Sequence, residues 1–209
     1  MTQVRDLLPG DAPSESYKSL IKYIPKLKDV EGISIEIGLR RGGGTLEIIE
    51  AFLENDDKRP HVCVDPYGDI EYWGHGKITQ YDYFNSMRNE AISNLYKYAD
   101  IRGVNIIFYN LEDSEFYKRF ADGVPVYDSG TKTIVSKYCL VHIDGQHDVK
   151  SVDIATDFFI KNLSVKGVIV YDNTDYYEHN EIHNKLLSNN FEVLIEENVH
   201  SYKKVYRKL

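Results

Sequence analysis

Several side chains able to bind a cation, a sugar hydroxyl or a proton stand where apolar runs stop: Glu36, Asp65, Asp113, Asp144, Asp172 and Asn173. Asp144 follows Tyr138–Ile143 and Asp172 follows Gly167–Tyr171. If those runs are neighbouring strands, the two carboxylates converge, which is costly unless a cation or a proton lies between them. With Asn173 they offer only oxygen donors, a set that suits Mg²⁺ or a similar hard cation completed by water and substrate oxygens. The alternative is that each acid caps a turn or the next helix. His147, three residues past Asp144 and among polar neighbours, can reach the same crevice and take a proton from a hydroxyl. His142 shares a strand with Asp144 and reads as a core or supporting histidine, whereas His75, His179 and His183 have no carboxylate context and read as surface residues.

Glu36 opens a second constellation, Glu36-x-Gly38-x-x-x-Gly42, with Thr45 three residues further on. Isoleucines at 33, 35 and 37 alternate with Ser34 and Glu36 before the glycines, and Leu46, Ile49, Phe52 and Leu53 follow at helical spacing. Strand, glycine loop and helix start together can cradle a ligand through backbone N–H groups, although such a loop can also be a tight structural turn. The spacing is not G-x-G-x-x-G, and an acid before the first glycine suits a cationic group such as an ammonium better than a pyrophosphate. Asp65 ends the run HVCVD, where an open α/β sheet places an acid on ribose hydroxyls; a turn with Pro66 is the other reading.

The elements that must position these residues alternate along the chain. A polar leader precedes a helix carrying Tyr17, Leu20, Ile21, Ile24 and Leu27, interrupted near Pro25. Strands are expected at 33–37, 61–65, 104–109, 138–143, 167–171, 191–196 and 201–207, with helices near 46–53, 86–98, 152–159 and 178–187. The stretch from Asn110 to Ser114 follows the third of these strands. Asp128-Ser129-Gly130 between 124–127 and 131–135 signals a hairpin outside the main sheet. Residues 67–85, rich in aromatics including Tyr67, Tyr72, Trp73, Tyr81, Tyr83 and Phe84, are long for a connection and read as a lid or as an aromatic packing loop. The pattern predicts one α/β domain over 1–209. It is Rossmann-like and doubly wound, with a mainly parallel seven-stranded sheet, a C-terminal antiparallel hairpin and helices on both faces.

At 209 residues the chain is long enough for a full core, and a net charge of −8 argues against nucleic-acid and anionic-membrane partners. Lys203, Lys204, Arg207 and Lys208 form the one basic cluster, read as a solvated edge strand. No apolar run reaches the length of a membrane span and no secretory leader is apparent, so a soluble, cytoplasmic setting is expected. Cys63 and Cys139 sit inside apolar runs and are expected to be buried free thiols.

EIGLRRGGGT, VDPYG and VHIDGQHDVKSVDIATDFFIKNLSVKGVIVYDN together resemble the class I S-adenosylmethionine-dependent methyltransferases. The nearest likeness is to the small metal-dependent O-methyltransferases of sugar hydroxyls, the macrocin type, and a more distant one is to the catechol type. The resemblance covers most of Ile33 to Asn173. It implies that the 36–45 loop, with Glu36, Gly38, Gly42 and Thr45, and Asp65 hold the methionine and ribose parts of S-adenosylmethionine. Asp113 and Ser114 would approach the adenine, Asp144, Asp172 and Asn173 would hold Mg²⁺, and His147 would be the base, with Asp144 beside it. The sugar enzymes usually place two acids where Asp172-Asn173 stands, which is similar to the catechol type instead; the catechol type has a lysine where His147 stands. The implied activity is Mg²⁺-assisted methyl transfer to a hydroxyl of a small molecule or saccharide. Two other readings are a nicotinamide-dependent oxidoreductase, which would want the absent G-x-G-x-x-G, and a binding module that keeps the fold without the chemistry. The oligomeric state is open.

Overall fold

The structure is a computed structural model and describes residues 17–74, 77–79, 83–197 and 202–209. The polar leader, His75 and Tyr81 lie outside the described residues, as do the side chains of Tyr72 and Trp73. Helix α1 (Tyr17–Ile21) and a 3₁₀ turn (Ile24–Leu27) with Pro25 near its start come first, so the expected helix breaks just ahead of the proline. Strand β1 (Ile33–Ile37) is buried at all five positions, Ser34 and Glu36 included, because helices cover both faces of the sheet. Helix α2 (Gly43–Leu53) starts from Gly42 and leads to β2 (His61–Val64).

Strands β3 (Tyr72–Gly74) and β4 (Lys77–Thr79) pair as a small antiparallel ribbon inside the 67–85 segment. Helix α3 (Asn85–Arg102) ends on Gly103 and is followed by β5 (Ile106–Tyr109). A short helix then appears that the sequence reading did not expect: α4 (Asp113–Arg119), whose Phe116 and Tyr117 are buried against the sheet. Strands β6 (Val124–Asp128) and β7 (Thr131–Val135) form the expected separate hairpin. The chain closes with β8 (Tyr138–Ile143), α5 (Val149–Asn162), β9 (Leu163–Tyr171), α6 (Asn180–Ser188), β10 (Phe191–Glu197) and β11 (Lys203–Lys208).

The seven-stranded sheet has the order β10-β11-β9-β8-β1-β2-β5. β9, β8, β1, β2 and β5 run parallel, and β11 is antiparallel to both β9 and β10. The last strand therefore enters the sheet between β9 and β10, so the basic segment read as a solvated edge is an interior strand. Lys203 is only 1% exposed. Ile35, Ile37, Val64, Val141 and Ile143 pack under α4, α5 and α6 on one face, while the other face meets α1, α2 and α3. Cys63 and Cys139 are buried and unpaired, as expected.

The parallel pairing of β1 and β8 sets the position of the residues at their carboxyl ends. Gly38 has φ +87° and a Cβ there would stand 2.2 Å from the carbonyl oxygen of Asp144. A side chain is thus excluded twice, by the left-handed backbone and by the neighbouring main chain. Gly38→Ala is expected to cost about 2–4 kcal/mol, read from urea unfolding midpoints; an unchanged midpoint would show that the strand ends separate without penalty.

Candidate active site

A cavity of about 560 Å³ opens beyond the carboxyl ends of β1, β2 and β8, within the usual size range of small-ligand sites. Gly38, Asp65, Asp113, Asp144, His147 and Asn173 line it. Glu36, Gly42, Thr45, Ser114 and Asp172 do not. The site residues expected from the sequence thus divide into a lining set and a supporting set.

On one side Asp65 organises the loop. Its Oδ2 accepts the N–H groups of Leu39 and Arg40 at 2.9 and 3.0 Å, and its Oδ1 accepts that of Tyr67 at 3.1 Å. The Tyr67 hydroxyl donates to the Arg40 carbonyl at 2.6 Å. These loop amides, expected to face a ligand, are therefore engaged by Asp65. Arg40 and Tyr67 both hold positive φ, at 51° and 50°, an uncommon state for side-chain-bearing residues that this mutual bonding maintains. Burial pushes the Asp65 carboxyl above the usual range despite the three N–H donors. Asp113 heads α4, where its Oδ1 accepts the Ser114 N–H at 2.6 Å.

His147, Asn173 and Asp144 gather on another side. Asn173, with φ 52°, follows β9 in a left-handed turn that carries its amide to the cavity. Its Nδ2 lies 3.4 Å from Asp144 Oδ1 and 3.3 Å from His147 Nε2. His147 Nε2 is 3.8 Å from Asp144 Oδ1, and the ring meets Tyr176 edge-on. The Asn173 amide thus stands between Asp144 Oδ1 and His147 Nε2.

Beneath the cavity a buried polar row crosses the sheet. Glu36 Oε2 accepts the Thr45 hydroxyl at 2.5 Å and Oε1 meets His142 Nδ1 at 2.8 Å. His142 Nε2 lies 3.6 Å from Asp172 Oδ2, an ion-pair distance, and the same oxygen receives the Lys203 ammonium. Asp172 Oδ1 accepts the Asn173 N–H at 2.8 Å. β8 and β9 are indeed neighbours, and one donor atom each of His142, Asp144 and Asp172 lies within 4.8 Å of the others. Lys203 is the residue that sequence reasoning misplaced. The available signal was its period-two spacing from the buried Val205, which puts it on an inward face. His179 also departs from its expected surface position: it is buried between the hydroxyls of Tyr177 and Tyr206, at 2.9 and 3.1 Å.

Protein-family models and curated proteins give no match to the chain, whereas solved structures match over nearly its whole length. An O-methyltransferase from Bacillus cereus in complex with SAH superposes with a TM-score of 0.65 at 11% identity, covering 100% of this chain and 91% of that one. The O-methyltransferase NovP gives 0.59 at 17% identity, over 96% and 84%. An rRNA methylase from Streptococcus thermophilus gives 0.56 at 8% identity, over 95% and 99%. The fold is that of the class I methyltransferases. In this methyltransferase fold the cavity lies at the carboxyl ends of the parallel strands, the usual ligand position of open α/β sheets. No helix among the described residues is long and apolar enough to cross a membrane.

The polar row also carries a pH signature. Burial alone would push His142 down, but the Asp172 and Glu36 carboxylates outweigh it and raise the imidazole to about 9. The same two cations, His142 and Lys203, hold Asp172 well below the usual carboxylate range against the effect of burial. Asp144 keeps 26% of its side chain exposed to the cavity, yet burial and the nearby Asp172 charge push it up to about 8. A raised histidine stabilises the fold fully below its unfolded value near 6.5 and loses that contribution as pH rises through about 9. Asp144 acts in the same direction, because the native state holds its proton longer than the unfolded chain does. Unfolding free energy should therefore fall by something on the order of 3–5 kcal/mol between about pH 6.5 and 9. Urea titrations across that range test this, and a flat profile would show that neither His142 nor Asp144 holds an extra proton in the fold.

Proposed function

We propose that this chain transfers the methyl group of S-adenosylmethionine to a hydroxyl oxygen of a small molecule or saccharide. The observation that carries the reading is one cavity on a methyltransferase sheet lined both by the acids Asp65 and Asp113 and by the Asp144, Asn173 and His147 group. The donor set suits the cofactor: Asp65 and Asp113 stand at β2 and α4 to accept ribose and adenine hydrogen bonds. Acids outnumber Arg40 and Arg41 in the lining, which favours a cationic sulfonium and ammonium. Gly38 leaves the floor open, while Glu36, Gly42 and Thr45 hold the loop from beneath.

When bound, the cofactor supplies a sulfonium methyl open to in-line displacement by an oxygen nucleophile. The protein aligns the acceptor hydroxyl and removes its proton. His147 takes that proton, with Asn173 Nδ2 and Asp144 Oδ1 at 3.3 and 3.8 Å from its Nε2 holding the ring in place. Tyr67, Ile70 and Tyr83 also line the cavity and are proposed to shape its acceptor end. The Mg²⁺ set of Asp144, Asp172 and Asn173 does not fit as a unit. Asp172 lies outside the cavity with its oxygens engaged by Lys203 and the Asn173 N–H, so no step is drawn through a cation.

Calorimetric titration with S-adenosylhomocysteine, S-adenosylmethionine and NAD tests the cofactor. Binding of the first two and not the third is expected, and Asp65→Ala should weaken it by about 1–3 kcal/mol, the range for losing a partner to buried polar groups. NAD binding alone would replace this reading with the oxidoreductase one.

His147→Ala should lower turnover by about 10²–10⁴ with little change in cofactor affinity. Labelled methyl transfer to a panel of sugars, phenols and ribosomal RNA identifies the acceptor. Label in the RNA alone would overturn the small-acceptor assignment, and cofactor binding with no transfer to any acceptor would leave a binding module.

A further inference from the structure

Lys203 gives Asp172 a counter-charge at the position where a divalent cation was expected. The lysine stands on β11, and Lys204 pairs in register with Tyr171 of β9, which places Lys203 beside Asp172. It is 1% exposed, and its ammonium bonds Asp172 Oδ2 while lying 5.9 Å from the centre of the Tyr17 ring. Buried lysines of this kind are almost always paired, since an unpaired ammonium in the interior is very costly.

The same oxygen faces the His142 imidazole at 3.6 Å, and the other carboxylate oxygen accepts the Asn173 N–H. A Mg²⁺ ion bonds a carboxylate oxygen at about 2.0–2.1 Å, so an ion on Asp172 would meet the lysine ammonium at close range. Two positive centres on one oxygen repel strongly in a buried setting. The ammonium, by contrast, already gives Asp172 its counter-charge. Asp144 and Asn173 are left facing the cavity, where they serve His147.

We infer that Lys203 takes the place of the divalent cation in this chain, so that its acceptor site works without a metal. The link to turnover rests on the methyl-transfer reading; the exclusion of an ion from the His142, Asp144 and Asp172 cluster by the Lys203 charge does not. Lys203 acts as a positioning residue, holding Asp172 and through it the Asn173 turn.

The test is Mn²⁺ binding followed by electron paramagnetic resonance, on the full chain saturated with S-adenosylhomocysteine. Wild type should show no stoichiometric site below roughly millimolar Mn²⁺, because the ammonium occupies the carboxylate. K203M removes the charge and should gain one site, with affinity raised by about tenfold or more. K203R, which keeps the charge, should behave as wild type. Thermal melting checks that each variant folds; if K203M does not, the wild-type titration decides alone. One tight Mn²⁺ site in wild type overturns the inference, and so does a folded K203M that still binds no ion. Failure of S-adenosylhomocysteine to bind would count against methyl transfer and leave the Mn²⁺ result standing.

Discussion

Lys203, Asp172, His142 and Glu36 lie next to one another on β11, at the end of β9, on β8 and on β1, all within the face covered by α1 and α2. Four ionisable groups out of water must balance their charges within a few ångströms, because an uncompensated buried charge is far more costly than any single contact around it. The row satisfies this with two cations against two carboxylates, each in contact with the next. Thr45 completes it by donating to Glu36 from the first turn of α2, which ties the helix start to the sheet. Gly44 belongs to the same arrangement, since a Cβ there would stand 2.1 Å from Glu36 Oε1.

The cavity inherits its geometry from this row. Asp172 is fixed from below by Lys203, so the next residue, Asn173, turns its amide toward Asp144 and His147. Glu36 is fixed by His142 and Thr45, so the 38–42 loop leaves β1 at a set angle and meets Asp65. Arg40, Tyr67 and Asn173, which border the cavity with positive φ, are each held by a neighbour from the same wall or the row below. A rigid, prearranged wall of this kind suits chemistry that depends on aligning two reacting atoms.

Much of the fold was legible because its signals are local and periodic. Alternating isoleucines gave β1, the apolar runs ending in acids gave β8 and β9, and Asp-Ser-Gly gave the β6–β7 hairpin. Helix α4 was missed because seven residues carry little periodicity; the pair Phe116 and Tyr117 was its only apolar mark, and both are buried by tertiary contact. In the site, Asp65, Asp113, Asp144, His147 and Asn173 could be placed from strand ends, since parallel strands deliver their carboxyl ends to one side of a sheet.

Partners were a different matter. Glu36 and His142 are 106 residues apart and Lys203 and Asp172 are 31 apart, so nothing in local spacing joins them. The sequence by itself determined which residues end the parallel strands, and hence which can face a common ligand, because strand period and polarity are properties of short segments. Only the tertiary structure decided that β11 slips between β9 and β10. That insertion turned a lysine read as an exposed edge into a buried counter-ion, because the burial of a strand depends on its neighbours in the sheet and not on its own composition.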